Sequence, residues 1–218
     1  YMSVEDGTSF SSNDGNGLSV DATATDLANI YFDANIYDAN ADDNDGSGFV
    51  FLGNAEDAGS YVEIDVDLYG GGASGNGEDG LHIELLAVDG GYVNGSWYIE
   101  ADFTGNDDDG IDALLEADGE DALVYFNLDI DSYSNISNND DDGLAVTILS
   151  ENDDTAYVDA YIEVDQAYFD GNDGDGIDVN ASGEDGGDFD VALDLNDVSA
   201  SNNDGDGLHI YAHVEDGS

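Results

Sequence analysis

The sequence predicts an all-β fold, a parallel β-helix of about seven coils, on three observations: an in-phase repeat, period-two hydrophobic alternation and fixed corner residues. The repeat is Asn, three small or acidic residues, Gly, then an aliphatic residue or Phe. It reads NDGNGL from Asn13, NDGSGF from Asn44, NGEDGL from Asn76 and NDDDGI from Asn106. It continues as NDDDGL from Asn139, NDGDGI from Asn172 and NDGDGL from Asn203. Its glycines, at 17, 48, 80, 110, 143, 176 and 207, are 30 to 33 residues apart. Recurrence at a fixed period of this length marks a repeat architecture. Residues 1–218 are therefore one repeat domain with corners at 13–18, 44–49, 76–81, 106–111, 139–144, 172–177 and 203–208.

Each corner glycine leads into alternating apolar positions, as in Leu81, Ile83, Leu85 and Ala87. An acidic turn follows, such as Glu120-Asp121, Glu184-Asp185 or Glu215-Asp216. A second alternating run, for example Val124, Phe126, Leu128 and Ile130, returns to the next Asn. Period two with one apolar face predicts half-buried strands, and no segment sustains the 3.6 period of a helix.

Two β architectures accommodate this pattern. In a parallel β-helix each repeat is one coil and equivalent residues stack about 4.8 Å apart. In an antiparallel β-sandwich each repeat would be a hairpin. The fixed Asn and Gly favour the helix, because a corner Asn can hydrogen-bond the Asn above and below it. The corner Gly is expected to supply the φ > 0 that a sharp bend needs.

The corners Asn172–Ile177 and Asn203–Leu208 resemble those of parallel β-helix repeats in pectate-lyase-like proteins and large bacterial and archaeal surface proteins. The resemblance spans nearly the whole chain and implies the fold. It leaves function open, since that fold hosts lyases, hydrolases, tailspikes and adhesins. Coils here exceed the roughly 22 residues familiar in that group, which predicts longer turns or an extra strand per coil.

Composition narrows the function. There is no Lys, Arg, Pro or Cys, against 54 Asp plus Glu, giving a formal charge of −54. Self-repulsion on this scale normally leaves a chain disordered, yet 40% of residues are apolar and regularly placed. The charge must be balanced by something other than protein, and divalent cations are the simplest candidate. Nucleic acid is excluded as a partner because phosphate needs Lys or Arg. No apolar run approaches a membrane-spanning length, and an anionic membrane surface would repel the chain.

The corner acids are the candidate metal ligands: Asp14, Asp45, Asp107, Asp140, Asp173 and Asp204 after the Asn, and Asp79, Asp109, Asp142, Asp175 and Asp206 before the Gly. Carboxylates about 4.8 Å apart repel by roughly 0.9 kcal/mol in water and about 3.5 kcal/mol at an effective dielectric of 20. Ca2+, which takes six to eight oxygens in flexible geometry, is the expected counter-ion, as several ions along the stack. The glycine-rich nine-residue motif of calcium-bound toxin repeats is absent. A weaker candidate is the second acidic turn at Glu56-Asp57, Glu120-Asp121, Asp153-Asp154 and Glu184-Asp185.

A catalytic reading lacks residues. The lyases that the resemblance brings in use a basic side chain with calcium, and none is present. A glycosidase needs only two carboxylates, which 54 acids supply by chance. His82, His209 and His213 are expected as surface histidines. The outward tyrosines, including Tyr31, Tyr98, Tyr125, Tyr161 and Tyr211, are expected to be scattered contacts rather than one ladder. Sequons at Asn94, Asn135 and Asn180 are weak glycosylation candidates.

The expectation is a non-enzymatic extracellular or cell-surface β-solenoid, structural or adhesive, with a carbohydrate-binding module or a β-helix glycosidase as alternatives. Tyr1, Val4, Glu5, Asp6 and Gly7 recur as Tyr211, Val214, Glu215, Asp216 and Gly217. That match suggests end-to-end self-association, covalent continuation of the array, or simply a shared part of the repeat. The start at Tyr1 has no signal-peptide pattern, as expected of a mature or excised chain.

Overall fold

The computed structural model describes residues 1–5, 7–152 and 155–215. Two parallel sheets face each other across a shared core, and the chain visits them alternately. Sheet I is ordered β1 (Met2–Val4), β3 (Asn29–Asn40), β5 (Tyr61–Ser74), β7 (Tyr92–Thr104), β9 (Leu123–Ile130), β12 (Tyr157–Asp165) and β14 (Asp188–Asn196). The short β10 (Ile136–Ser137) pairs with the end of β7. Sheet II is ordered β2 (Leu18–Ala24), β4 (Phe49–Glu56), β6 (Leu81–Val88), β8 (Ile111–Asp118), β11 (Leu144–Glu151), β13 (Ile177–Gly183) and β15 (Leu208–Val214). Every named pair is parallel, so the hairpin sandwich is ruled out and the fold is a β-solenoid of about seven coils.

The register follows the corners. Leu18, Phe49, Leu81, Ile111, Leu144, Ile177 and Leu208, each just after a corner glycine, stand directly above one another. A one-residue slip would turn every apolar side chain outward, so the alternation fixes this alignment. In β6, β8 and β11 every second residue is buried. Trp97, the largest core side chain, is fully buried between Phe51 and Phe126, with ring centroids at 6.4 and 5.5 Å. Gly95 makes room for it: a Cβ there would lie 2.3 Å from the indole.

The extra coil length forms a third, short ladder ahead of each corner. Phe10 N–H donates to Asn40 C=O at 2.8 Å, Phe103 N–H to Asn135 C=O at 2.8 Å and Phe169 N–H to Ser199 C=O at 2.8 Å. Phe10, Ala41, Ala73, Phe103, Ile136, Phe169 and Ala200, three residues before each Asn, close the core on this side.

The corner asparagines form the expected ladder. At each of the first six corners the backbone N–H and the Nδ2 amide both donate to Oδ1 of the next Asn. The side-chain bonds run from Asn13 to Asn44 (2.8 Å), to Asn76 (2.9 Å), to Asn106 (2.9 Å), to Asn139 (3.0 Å), to Asn172 (3.1 Å) and to Asn203 (3.3 Å). Five of the seven, Asn44 to Asn172, are buried. Because their polar atoms are paired within the ladder, they avoid the cost of orphaned amides in the core.

The corner glycine works differently from the expectation. None of the seven has φ > 0; the left-handed residue is the one before the Asn. It is Ser12, Asp43, Gly75, Gly105, Asn138, Gly171 or Asn202, with φ between 54° and 74°. Gly, Asn and Asp tolerate that region best, which accounts for the types found there. The corner Gly is needed for close approach instead. A Cβ on Gly143 would lie 2.5 Å from the carbonyl oxygen of Gly176, and one on Gly80 would lie 2.6 Å from that of Gly110.

The shared sequence at the two ends does not reflect a shared place in the repeat. Val4 lies on β1 in sheet I, opposite Ile36, whereas Val214 lies on β15 in sheet II, opposite Gly183. Asp6, Asp216 and Gly217 lie outside the described residues.

Candidate metal centre

The eleven candidate aspartates separate into two columns with different surroundings. Asp14, Asp45, Asp107, Asp140, Asp173 and Asp204 are exposed. Their backbones are tied into the stack, as when Asp107 N–H donates to Asn76 C=O at 2.9 Å. None belongs to a group of three potential ligands among the described residues.

The column before the glycine turns inward along the corner. Asp79 Oδ1 accepts the N–H of Asp109 at 3.3 Å, and Asp109 Oδ1 accepts that of Asp142 at 2.7 Å. Asp142 and Asp175 continue the chain, accepting the N–H of Asp175 and Asp206 at 2.5 Å each. Asn16 does the same for Ser47 at 3.0 Å. Each side chain is thus pinned above the next, with like charges stacked on consecutive coils.

Burial is the main consequence of that packing. It pushes the Asp109 carboxyl up to about 8, with repulsion from Asp142, Asp112 and Asp79 adding and the Asp142 N–H opposing. Asp142 is pushed to about 6, again chiefly by burial, against the N–H of Asp175. Burial of this kind disfavours the charged form of a carboxyl, and an adjacent cation would favour it.

Two groups of oxygens gather along this column: Asp79, Asp108 and Asp109, then Asp109, Asp141 and Asp142, each with ligand atoms within 4.8 Å of one another. Asp108 and Asp141 were not among the sequence candidates. They sit between the two predicted positions and share their corner, so the run NDDDG carried the signal. Asp175 joins a different group, with Asp178 and His209, while Asp206 joins none among the described residues. Three carboxylates per group offer the all-oxygen donor set of a hard divalent cation, and Ca2+ fits that chemistry.

The second acidic turn lies opposite the corner. Glu56, Asp57, Glu120 and Asp121 are exposed, and a shallow hollow of about 470 Å³ there is lined by Ala58, Asp89, Gly90, Glu120 and Asp121. No group of three ligands forms at this turn among the described residues, and Asp153 and Asp154 lie outside them.

Two of the three histidines are not simple surface groups. His82 Nδ1 lies 2.8 Å from Asp112 and 3.3 Å from Asp79, and these carboxylates raise its pKa to about 10 against the effect of burial. His209 Nδ1 lies 2.6 Å from Asp178 and 3.8 Å from Asp175, with its pKa likewise raised by Asp178. His213, about half exposed, meets only Glu215 at 4.0 Å.

The tyrosines, expected to be scattered, form two files on the outer face of sheet I. Tyr31, Tyr61, Tyr92 and Tyr125 have successive centroids at 5.4, 4.9 and 5.4 Å. Tyr37, Tyr69 and Tyr98 follow at 5.1 and 5.3 Å. The files zigzag between neighbouring columns: Tyr61 is opposite Tyr92, but Tyr31 is opposite Glu63 and Tyr125 opposite Asn94. Tyr161 and Tyr211 stand outside both files.

The fold defines the class: an all-β, parallel β-solenoid whose corner carries a carboxylate column. No protein-family model matches the chain, and no curated protein or solved structure is significantly similar to it.

Proposed function

We propose that the chain is a non-enzymatic structural or adhesive element of the cell exterior, a stiff segment whose stacked coils are stabilised by Ca2+ along the corner. The single observation that carries this reading is the stacked, partly buried carboxylate column from Asp79 to Asp175, in a chain with no Lys or Arg to neutralise it. Exposed acids can be screened by salt, but screening reaches buried ones poorly. Asp79, Asp108, Asp109, Asp141 and Asp142 are the residues that would hold the ions. Circular dichroism during thermal melting, with and without a chelator at fixed ionic strength, tests the reading. Calcium removal is expected to lower the melting temperature by tens of degrees; an unchanged melt would sink it.

The same reading extends to partners. Leu208, Ile210 and Val214 on β15 are 43 to 56% exposed, although their counterparts in β13 are buried. A further coil, from a second copy stacked end to end or from continuation of the array, would cover them. Electron microscopy and light scattering of the 218-residue chain check this, with strictly monodisperse monomers at all calcium concentrations as the opposing result.

Glycan binding is the second reading, favoured by the two tyrosine files on one face. Many rings are tilted against each other and leave edges and partial faces outward. Affinity electrophoresis in neutral and acidic polysaccharides tests it, with Tyr31→Ala and Tyr125→Ala expected to abolish any retardation.

A further inference from the structure

The geometry points to a site for a zinc-class divalent ion at Asp79, His82 and Asp112, which shares Asp79 with the first all-oxygen group of the corner and differs from it by the imidazole. The three residues are brought together by the solenoid register. Asp79 is the last residue before the corner glycine of its coil, and His82 is the second residue of β6. Asp112 is the second residue of β8 and stands directly opposite His82. Asp79 is only 7% exposed; its Oδ1 is held by the Asp109 N–H, while its Oδ2 faces the imidazole and accepts the Ser47 hydroxyl at 3.5 Å.

The imidazole supplies the observation that acidic clustering alone does not. His82 Nδ1 has no contact with solvent and no well-directed hydrogen bond, although two carboxylate oxygens lie at 2.8 and 3.3 Å. A buried nitrogen that faces oxygens closely but off-axis is arranged around a point between them rather than along a bond to either. Ligands on a tetrahedral zinc at about 2.0–2.1 Å stand about 3.4 Å apart, so the Asp79 edge already fits and the Asp112 edge needs to open slightly. Imidazole nitrogen with two carboxylates suits zinc-like ions, whereas Ca2+ prefers oxygen throughout.

Two further features fit a bound ion. A hollow of about 260 Å³ beside His82 is lined by Asn16, Ser47, Glu78 and Glu84 among others, which gives room for a fourth ligand or water. The same columns rebuild the arrangement at the other end of the solenoid, where His209 faces Asp178 and Asp175. There the histidine comes from the later coil, and its side chain is 44% exposed against 25% for His82. That second site is the weaker of the two.

The test is calorimetric titration of the full chain with ZnCl2 in excess calcium at fixed ionic strength, together with 15N NMR of the imidazoles. One tight equivalent is expected, followed by a weaker one. His82→Gln removes the first and His209→Gln the second, each with at least a roughly 100-fold loss of affinity. In the wild type, zinc is expected to move the His82 Nδ1 resonance and leave Nε2 protonated. Zinc that binds equally well to His82→Gln, or a His82 Nδ1 that keeps its proton when zinc is added, overturns the proposal. The readout is zinc stoichiometry and one nitrogen, so it stands whether or not calcium proves necessary for the fold.

Discussion

Each coil turns twice between the sheets, and the two turns carry similar charge to opposite effect. At the corner, Asn, Asp and Gly side chains and backbones mesh from coil to coil, as in the Asn106–Asn139 bond at 3.0 Å. At the opposite turn, Glu56, Asp57, Glu120 and Asp121 face water, and their carboxylates join no group of three potential ligands among the described residues. Acidity therefore does not define the centre; depth and register do. An acid on a solvated turn adds to net charge, while an acid pinned beneath the next coil adds to the energy of folding.

The largest effect expected to separate the two turns is at the corner glycine. Gly143→Ala places a Cβ 2.5 Å from the Gly176 carbonyl, where neither backbone can yield without opening the ladder. A loss of about 3 to 5 kcal/mol in chemical denaturation is expected. Next comes Asn139→Ala, which strips an acceptor from two donors of Asn106, at 3.1 and 3.0 Å, inside the core. It is expected to cost about 3 kcal/mol, because buried donors left unpaired carry a desolvation penalty. If either substitution proves neutral, the corner is not the element that sets the stack.

The comparison sharpens with pH. In chelator, Asp109 and Asp142 hold protons up to about 8 and 6 in the folded chain, but release them near their ordinary 3.8 when unfolded. The folded state then binds more protons between those values, so stability rises as pH falls from about 8 towards 4. A gain of about 2 kcal/mol is expected after allowance for solvent screening. Saturating calcium requires ionised ligands and reverses the slope. Melting temperatures at pH 8, 6 and 4, with and without calcium, decide this; parallel slopes would count against partly buried, cation-neutralised acids.

The smallest effects compare one acid from each turn. Asp142→Asn keeps an oxygen for the Asp175 N–H and removes a charge, so it is expected to stabilise the chelated protein by about 1 kcal/mol and to destabilise the calcium-loaded one. Glu120→Gln at the opposite turn is expected to stay within about 0.5 kcal/mol in both conditions. A sign change for the first variant alone would place calcium at the corner.

Much of the architecture was legible in the sequence because it is written once per coil. The seven Asn-to-Gly corners and the alternation around Leu81–Ala87 specify parallel coils and an Asn ladder. What escaped notice depends on neighbours rather than on the motif. The left-handed residue before the Asn varies from Ser12 to Gly171, so no letter repeats. The corner glycine is constant, but its reason is a carbonyl in the next coil, which spacing alone does not reveal. The same holds for the site. Asp79, Asp109 and Asp142 were found by position, whereas Asp108, Asp112 and Asp141 become partners only once coils are set in register. The tyrosine files were missed because rings from adjacent columns reach one another across a step.

The Asn ladder also gives the molecule an electrical direction. All six bonds between the Asn side chains run the same way, each amide offering one hydrogen to the Oδ1 of the coil that follows. Peptide-like amides carry dipoles of about 3.5 D, and dipoles stacked in phase add rather than cancel. A solenoid built this way has a head and a tail that differ in field as well as in shape. In an applied field it would orient along its own axis, and a neighbour approaching upside down would meet like with like.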